Sequence, residues 1–341
     1  MATTMATTIP NTVPSTRNYQ AQSRLLSMMP VEMILDIADQ AASVADAVSL
    51  ALTCKDLFSI LSKYIKRLDA HSRETLLMTL EQNTSWIVYC PVARKLLPFY
   101  SKENIFYYPN KSGIYQAFRP NGERHIASMC PGKSLRVGFL ETRLVRNRRL
   151  HGVAHGIPLS CLSLSGRKST SFLFMKTQCK THLEISRTAK WVGDDLFLSY
   201  KWIFRVTGVG ITRQVISTQS LHDFFRDTLL DDACYHCRLD GRKNFAYGVL
   251  HPSLDEAEAK LSKNSAYEGV GGCSCCETDW DLSISWLQHS LVFQTVTYHD
   301  LGCCSIPPDP KWQKLLKFGY DISLPRESCH GHVRHMWINS G

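Results

Sequence analysis

Apolar residues recur three or four positions apart after the polar N-terminus, which predicts amphipathic helices. Pro30 suits the first turn of the first helix, where its missing N–H costs nothing. Ser43 is expected to cap the second helix, and Thr53 the third. The three apolar stripes are Ile34, Ile37, Ala38 and Ala41; Val44, Ala47, Val48 and Ala51; and Leu57, Ile60, Leu61, Tyr64 and Ile65. So small a bundle is expected to leave one apolar face for a partner or for the rest of the chain.

The period of the apolar pattern changes further along the chain. Helical spacing continues from Ser72 to Glu81, and a strand-like run follows from Trp86 to Cys90. Alternation then predicts strands at 172–174, 183–185, 196–200, 203–206, 282–286 and 291–296. Turns are expected at 193–195 and 288–289. A helix is expected to begin at a cap formed by Ser217 or Thr218 and to bury Leu221, Phe224 and Phe225. A last short helix is expected at 311–318. Helices and hairpins segregated in this way predict an α+β fold, in which a three-helix module precedes a mixed body with antiparallel hairpins.

These patterns divide the chain into four segments. Residues 1–23 are rich in Thr, Pro, Ser and Asn, so a disordered tail is expected there. The helical module spans residues 25–68 and the body residues 70–325. Residues 326–341 are expected to form a loose C-terminal tail.

Composition describes a globular protein, with 44% hydrophobic and 20% charged residues. The net charge of +9 could favour acidic partners, and the most basic stretch holds Arg143, Arg146, Arg148 and Arg149. Few aromatic residues are interleaved with these arginines, so a solvated face is favoured over a nucleic-acid site. No apolar run approaches the ~20 residues of a membrane helix, and the N-terminus lacks an apolar signal region. A soluble protein of the cytoplasm or nucleus is therefore expected.

The stretch Met29-Pro-Val-Glu-Met-Ile-Leu-Asp-Ile-Ala38, followed by Leu50-Ala-Leu-Thr-Cys-Lys-Asp-Leu57, resembles an F-box. The version found here is similar to that of a large fungal family of F-box proteins, with Met-Pro in place of the usual Leu-Pro. Short segments further on also look like this family: 89–99, Cys273-x-x-Cys276, 300–302 and 308–312. In the first of them Ala93 and Leu97 stand where the family has Cys and His, so any metal site there is expected to be lost.

The resemblance implies a protein without catalytic activity that binds a Skp-type adaptor and, through it, the cullin of a ubiquitin ligase. The body would then receive an unknown protein substrate. The partner-binding residues it indicates are Met29, Pro30, Ile34, Leu35, Ile37, Leu50, Leu52 and Leu57. The competing interpretation is that the same residues form an ordinary helical core.

Thirteen cysteines in a chain without a signal peptide indicate a reducing compartment rather than disulfides. Cys234-x-x-Cys237 and Cys273-x-x-Cys276 have the spacing with which one loop presents two thiolates to zinc. Buried thiols without a ligand are the favoured alternative, because free cysteine packs as a small apolar residue.

Motifs for nucleotide binding, phosphate binding or a nucleophilic serine are missing, so no enzyme activity is expected. Two hypotheses follow. The first is a ubiquitin-ligase substrate receptor, and the second is a zinc-stabilised protein- or nucleic-acid-binding protein with no role in ubiquitin ligation.

Overall fold

The computed structural model describes residues 29–53, 55–90, 94–102, 105–109, 115–118, 137–174, 177–207, 217–221, 254–273, 275–306, 309–316 and 328–340. The chain divides into two compact units, which we call the helical unit (Met1–Thr84) and the body (Ser85–Gly341). The expected disordered tail, residues 1–23, lies outside the described residues, as do Phe224 and Phe225 of the expected internal helix.

The helical unit contains α1 (Val31–Asp39), α2 (Val44–Ala51), α3 (Lys55–Ile65) and α4 (Ala70–Asn83). As predicted, α1 follows Pro30, and Ser43 caps α2, since its Oγ accepts the backbone N–H of Asp46 at 3.2 Å. The hydroxyl of Thr53 instead donates to the carbonyl of Leu50 at 2.8 Å. Thr53 therefore satisfies a carbonyl at the end of α2, which the sequence pattern did not predict.

One hydrophobic core joins the four helices. Its buried side chains come mainly from α1–α3, and Leu76 of α4 packs with them. The compact unit therefore extends to Thr84, past the sequence-based boundary at residue 68. On α4 only Leu76 and Glu81 are buried. An apolar stripe this narrow does not show in the sequence that the helix packs with the preceding three.

The body begins with two small antiparallel sheets. Strand β1 (Ile87–Cys90), the strand predicted at this place, pairs with β2 (Lys95–Pro98). Strands β3 (Tyr100–Lys102), β4 (Ile105–Pro109) and β5 (Tyr115–Phe118) form a second sheet. Helix α5 (Phe139–His151) follows, with short 3-10 turns at Val153–His155 and Leu159–Leu162.

A six-stranded antiparallel sheet forms the centre of the body. Its strands are β6 (Leu164–Phe174), β7 (Thr177–Val192), β8 (Asp195–Thr207), β9 (Tyr267–Gly272), β10 (Thr278–Leu287) and β11 (Ser290–Asp300), in the spatial order β6-β7-β8-β11-β10-β9. The turn predicted at Gly193 joins β7 to β8, and the hairpin predicted at Gln288 joins β10 to β11. The strands predicted at 196–200 and 203–206 are one continuous strand, β8.

One face of this sheet carries the core of the body. At one end Phe204, Ile284 and Phe293 pack with Ala257 and Leu261 of helix α6 (Leu254–Ser262). At the other end Leu198 packs with Leu144 of α5 and with Trp312 of helix α7 (Pro310–Leu316). Alternating side chains of an antiparallel sheet point to opposite faces, so one set of positions builds this whole layer.

Lys311 of α7 forms ion pairs at the ends of two neighbouring strands, β8 and β11. Its Nζ lies 2.6 Å from a carboxylate oxygen of Asp195 and 2.7 Å from one of Asp300. Burial opposes the charge of this amine, but the hydrogen bonds to both carboxylates outweigh that effect and raise the pKa of Lys311. The segments around 300–302 and 311–312, which the sequence singled out, therefore have a structural role here.

The prediction of a loose C-terminal tail is wrong for residues 332–339, which form helix α8 (His332–Asn339) and pack on the body. The carboxylate of Asp279 accepts the backbone N–H groups of Gly331 and Arg334 at 3.1 and 3.0 Å. The Arg334 guanidinium lies 2.6 Å from Asp281, and Val333 is fully buried. These carboxylates lie far back in the chain, so the local sequence did not reveal the contact.

The predicted fold class is confirmed: an α+β protein in which N-terminal helices precede antiparallel sheets, including a six-stranded one. Among the described residues no helix is both long and apolar enough to cross a membrane.

Replacing Lys311 with Met should lower the free energy of unfolding of the body by about 2 kcal/mol, because it leaves the nearly buried carboxylate of Asp300 without its cation. Urea unfolding measures the change. Lys201→Met is the matched control, since Lys201 is exposed and makes no ion pair within the described residues; it should cost less than about 0.5 kcal/mol. Equal stability of the two variants would contradict the role given to Lys311.

Candidate functional site

Large apolar side chains on three helices of the helical unit face solvent. They are Val31, Met33 and Ile37 of α1, Leu52 at the end of α2, and Phe58 of α3, each between 44% and 51% exposed. We call these five residues the exposed apolar set. Single exposed apolar residues are ordinary on protein surfaces, so it is their number on one small unit that makes them a candidate for an interaction site.

The structure divides the eight residues that sequence singled out for partner binding. Ile34 and Leu57 belong to the core, with 3% and 2% exposure. Met29, Leu35 and Leu50 are partly buried against that core. The remaining three, Pro30, Ile37 and Leu52, are exposed. The two interpretations of this segment, docking face and helical core, therefore each describe a part of it.

Val31, Met33 and Phe58 were missed by the sequence analysis. Met33 and Ile37 are one turn apart on α1, so they share a flank that lies outside the stripe of Ile34 and Ala38. An apolar residue that interrupts the polar side of an amphipathic helix was the available signal.

The ends of α1 and α3 are tied together beside this set. The hydroxyl of Tyr64, near the end of α3, donates to the carboxylate of Asp39, the last residue of α1. The cationic groups of Lys63 and Arg67 lie 5.0 and 5.5 Å from the centre of the Tyr64 ring. These contacts fix the ends of the two helices relative to each other, so the side chains that the helices expose keep a defined relative position.

A second candidate site is the turn between β9 and β10, which carries Cys273 and Cys276. Both side chains are buried, and Cys273 Sγ accepts the backbone N–H groups of Cys275 and Cys276 at 3.3 and 3.4 Å. The Cys-x-x-Cys spacing on one turn is the arrangement with which two thiols can reach one zinc ion. The geometry of this turn is therefore compatible with half of a zinc site.

His299 lies close to this turn but both of its ring nitrogens are engaged. Nδ1 lies 3.1 Å from the hydroxyl of Thr278, and Nε2 lies 3.0 Å from that of Thr297. Burial lowers the pKa of His299 to about 4, so the ring is neutral at physiological pH. A neutral imidazole with two hydrogen-bond partners is satisfied within the fold, and it is not offered to a metal.

The other predicted zinc ligands, Cys234 and Cys237, lie outside the described residues. Within the described ranges no three His, Cys, Asp or Glu side chains come together in a way that could hold a metal ion. The structure thus locates Cys273 and Cys276 on one turn, and the part of the prediction that concerns Cys234 and Cys237 stays a prediction.

The arginine-rich helix α5 is only in part the solvated face that the sequence predicted, since Arg149 is exposed and Arg146 and Arg148 are half-buried. Arg143 is only 3% exposed. Arg148 donates to the carbonyls of Val153 and Gly156 at 3.3 and 3.4 Å, and Arg149 donates to that of Gly193 at 2.9 Å. The Arg149 guanidinium also stacks 4.6 Å from the Trp191 ring. These arginines keep their charge but hold the turns around α5 in place, so Arg143, Arg148 and Arg149 each have a structural role.

Comparisons with protein-family models, with curated proteins and with solved structures find no match to this chain. The resemblance to an F-box therefore stays a prediction from the residues quoted above.

Ile34→Asp and Ile37→Asp should differ in their effect on the helical unit. The first places an unpaired charge in the core and should cost more than about 3 kcal/mol, whereas the second alters an exposed position and should cost less than about 1 kcal/mol. Thermal melting followed by circular dichroism, with limited proteolysis of residues 31–83, measures both. Similar losses from the two substitutions would contradict the assignment of Ile37 to the surface.

Proposed function

We propose that this chain is a non-catalytic substrate receptor of a Skp–cullin–F-box ubiquitin ligase. Its helical unit docks a Skp-type adaptor, and its body binds a protein substrate. Ubiquitin transfer is carried out by the partner proteins, so the chain itself needs no catalytic group. The proposal sets the protein in the cytoplasm or nucleus, where such ligases work.

The observation that supports this proposal best is the exposed apolar set. Three helices in the segment that resembles an F-box each contribute a large apolar side chain to solvent. Amphipathic helices that bind in a partner's groove use such anchors at the centre of the interface. The buried residues Ile34 and Leu57 then have a supporting role, because they hold α1 and α3 in position.

The double substitution Ile37→Asp with Phe58→Asp should abolish co-purification with a Skp-type adaptor while the helical unit stays folded. Both side chains are about half exposed, so their replacement removes docking surface without opening the core. A loss of two apolar anchors corresponds to at least about 100-fold weaker binding. Pull-down with the purified adaptor, followed by titration calorimetry, measures the effect.

Leu287→Asp is the matched control, because Leu287 is an equally exposed leucine that lies in the body. This control should bind the adaptor as the unaltered chain does. Full binding by the folded double variant would rule out the exposed apolar set as the docking surface.

A second candidate function is a zinc-stabilised binding protein outside the ubiquitin system, which uses Cys234, Cys237, Cys273 and Cys276. The placement of Cys273 and Cys276 on one tight turn, where Cys273 Sγ accepts the backbone N–H groups of Cys275 and Cys276, favours it. Zinc binding would add folding free energy to the turn that begins β10.

Elemental analysis of the purified chain tests this second candidate. About one zinc per chain is expected, lost in Cys273→Ser with Cys276→Ser and retained in the control Cys303→Ser, whose sulfur lies 3.3 Å from a carboxylate oxygen of Asp309. A chelator should lower the melting temperature of the unaltered chain. Purified protein without zinc, and with unchanged stability in the Cys273/Cys276 variant, would eliminate this candidate.

A further inference from the structure

We propose that the outer edge of β9 binds an extended peptide, which adds a seventh strand to the six-stranded sheet. The peptide is a strand-forming segment that places a basic side chain beside Glu268 and an apolar one beside Val270. Among the residues that the structure describes, β9 is an edge strand, since its pairing there is with β10 alone. Edge strands present a row of backbone donors and acceptors that an added strand can satisfy.

The phase of the ladder fixes which groups face outward. The N–H of Cys273 donates to the carbonyl of Thr278 at 2.8 Å, so this opposed pair is hydrogen-bonded. Pairs alternate along an antiparallel ladder, which makes Gly271 and Gly269 bonded to β10 as well. The N–H and C=O groups of Glu268 and Val270 therefore point away from the sheet. No described residue bonds to these four groups.

The side chains of β9 leave this edge open. Val270 is 65% exposed, and Gly269 and Gly271 flank it. A Cβ on Gly271 would lie 2.2 Å from the indole of Trp280, so packing beneath the strand requires glycine there. The opposite edge of the sheet differs, because β6 carries Arg167 and Lys168 in its sequence, and charged residues discourage strand addition.

Charge and size select the occupant. Glu268 and Val270 lie on the same face of β9, two residues apart. Glu268 is exposed and makes no ion pair within the described residues, so it favours Lys or Arg across from it. A second copy of this chain would bring only one short, glycine-rich strand to the contact, far below the ~1,200 Å² of specific interfaces. A peptide needs less area, because it gains its main-chain hydrogen bonds without docking a second fold.

That this peptide belongs to a ubiquitylation target rests on the proposed function. The binding itself does not, because it involves the body alone. Peptide binding and adaptor binding can therefore fail separately.

Fluorescence anisotropy of the full chain with a labelled peptide of repeating Lys-Thr-Val-Thr tests the proposal, because this repeat places lysine and valine two residues apart on the same face of the added strand. The twin with glutamate in place of each lysine should bind about fivefold more weakly, although the chain carries a net charge of +9. Glu268→Lys should reverse this preference. Equal affinity for the two peptides, or a preference untouched by Glu268→Lys, overturns the assignment of the partner's charge.

Val270→Pro tests the edge itself. It removes an N–H that faces outward and leaves the bonds to β10, so the fold should remain while peptide affinity falls at least about tenfold. Val270→Thr is the matched control and should bind normally. Unchanged binding by a folded Val270→Pro variant overturns the proposal, and if that variant does not fold, the peptide preference of Glu268→Lys decides.

A dimer seen in sedimentation of the unaltered chain, and lost in Val270→Pro, would assign the edge to a second copy instead. Adaptor pull-down by Val270→Pro should match that of the unaltered chain.

Discussion

A set of helices or strands can bury apolar side chains only where another layer covers them, and this constraint treats the two units of the chain differently. In the body, α5, α6 and α7 cover one face of a six-stranded sheet, so long rows of apolar side chains reach full burial. In the described part of the helical unit, residues 29–53 and 55–84, four short helices surround one small core. A unit of this size cannot enclose every apolar residue of its helices, because surface grows relative to volume as a fold shrinks. The side chains that it leaves exposed, the exposed apolar set, are the ones on which its proposed function rests.

The same constraint links the two proposed binding surfaces through their physics. On the helical unit, uncovered apolar side chains such as Met33 and Phe58 call for a partner that contributes its own apolar groove. On the body, the uncovered feature is a row of backbone groups beside Val270, and it calls for an extended strand. A receptor needs two such surfaces of different chemistry, one for the ligase and one for the target.

Local patterns predicted the elements well, because helix period, Ser43 capping and the turn at Gly193 depend on near neighbours. Contacts between distant segments were out of their reach. Helix α8 is held by Asp279, 52 residues before Gly331, and no local signal marks that pairing. The same holds for the arginines of α5, which look solvated in sequence but satisfy carbonyls of nearby turns. For the candidate surface, the sequence pattern singled out several residues that the structure places in the core, Ile34 and Leu57 among them, since burial depends on packing among the described helices.

Hydrogen–deuterium exchange of the full chain, with and without a purified Skp-type adaptor, tests the central claim most directly. The account predicts slower exchange across α1, α2 and α3 when the adaptor is present, because a bound partner suppresses local opening of the helices it covers. Exchange in the six-stranded sheet should stay the same. Binding without protection of these helices, or protection confined to the sheet, would contradict the account.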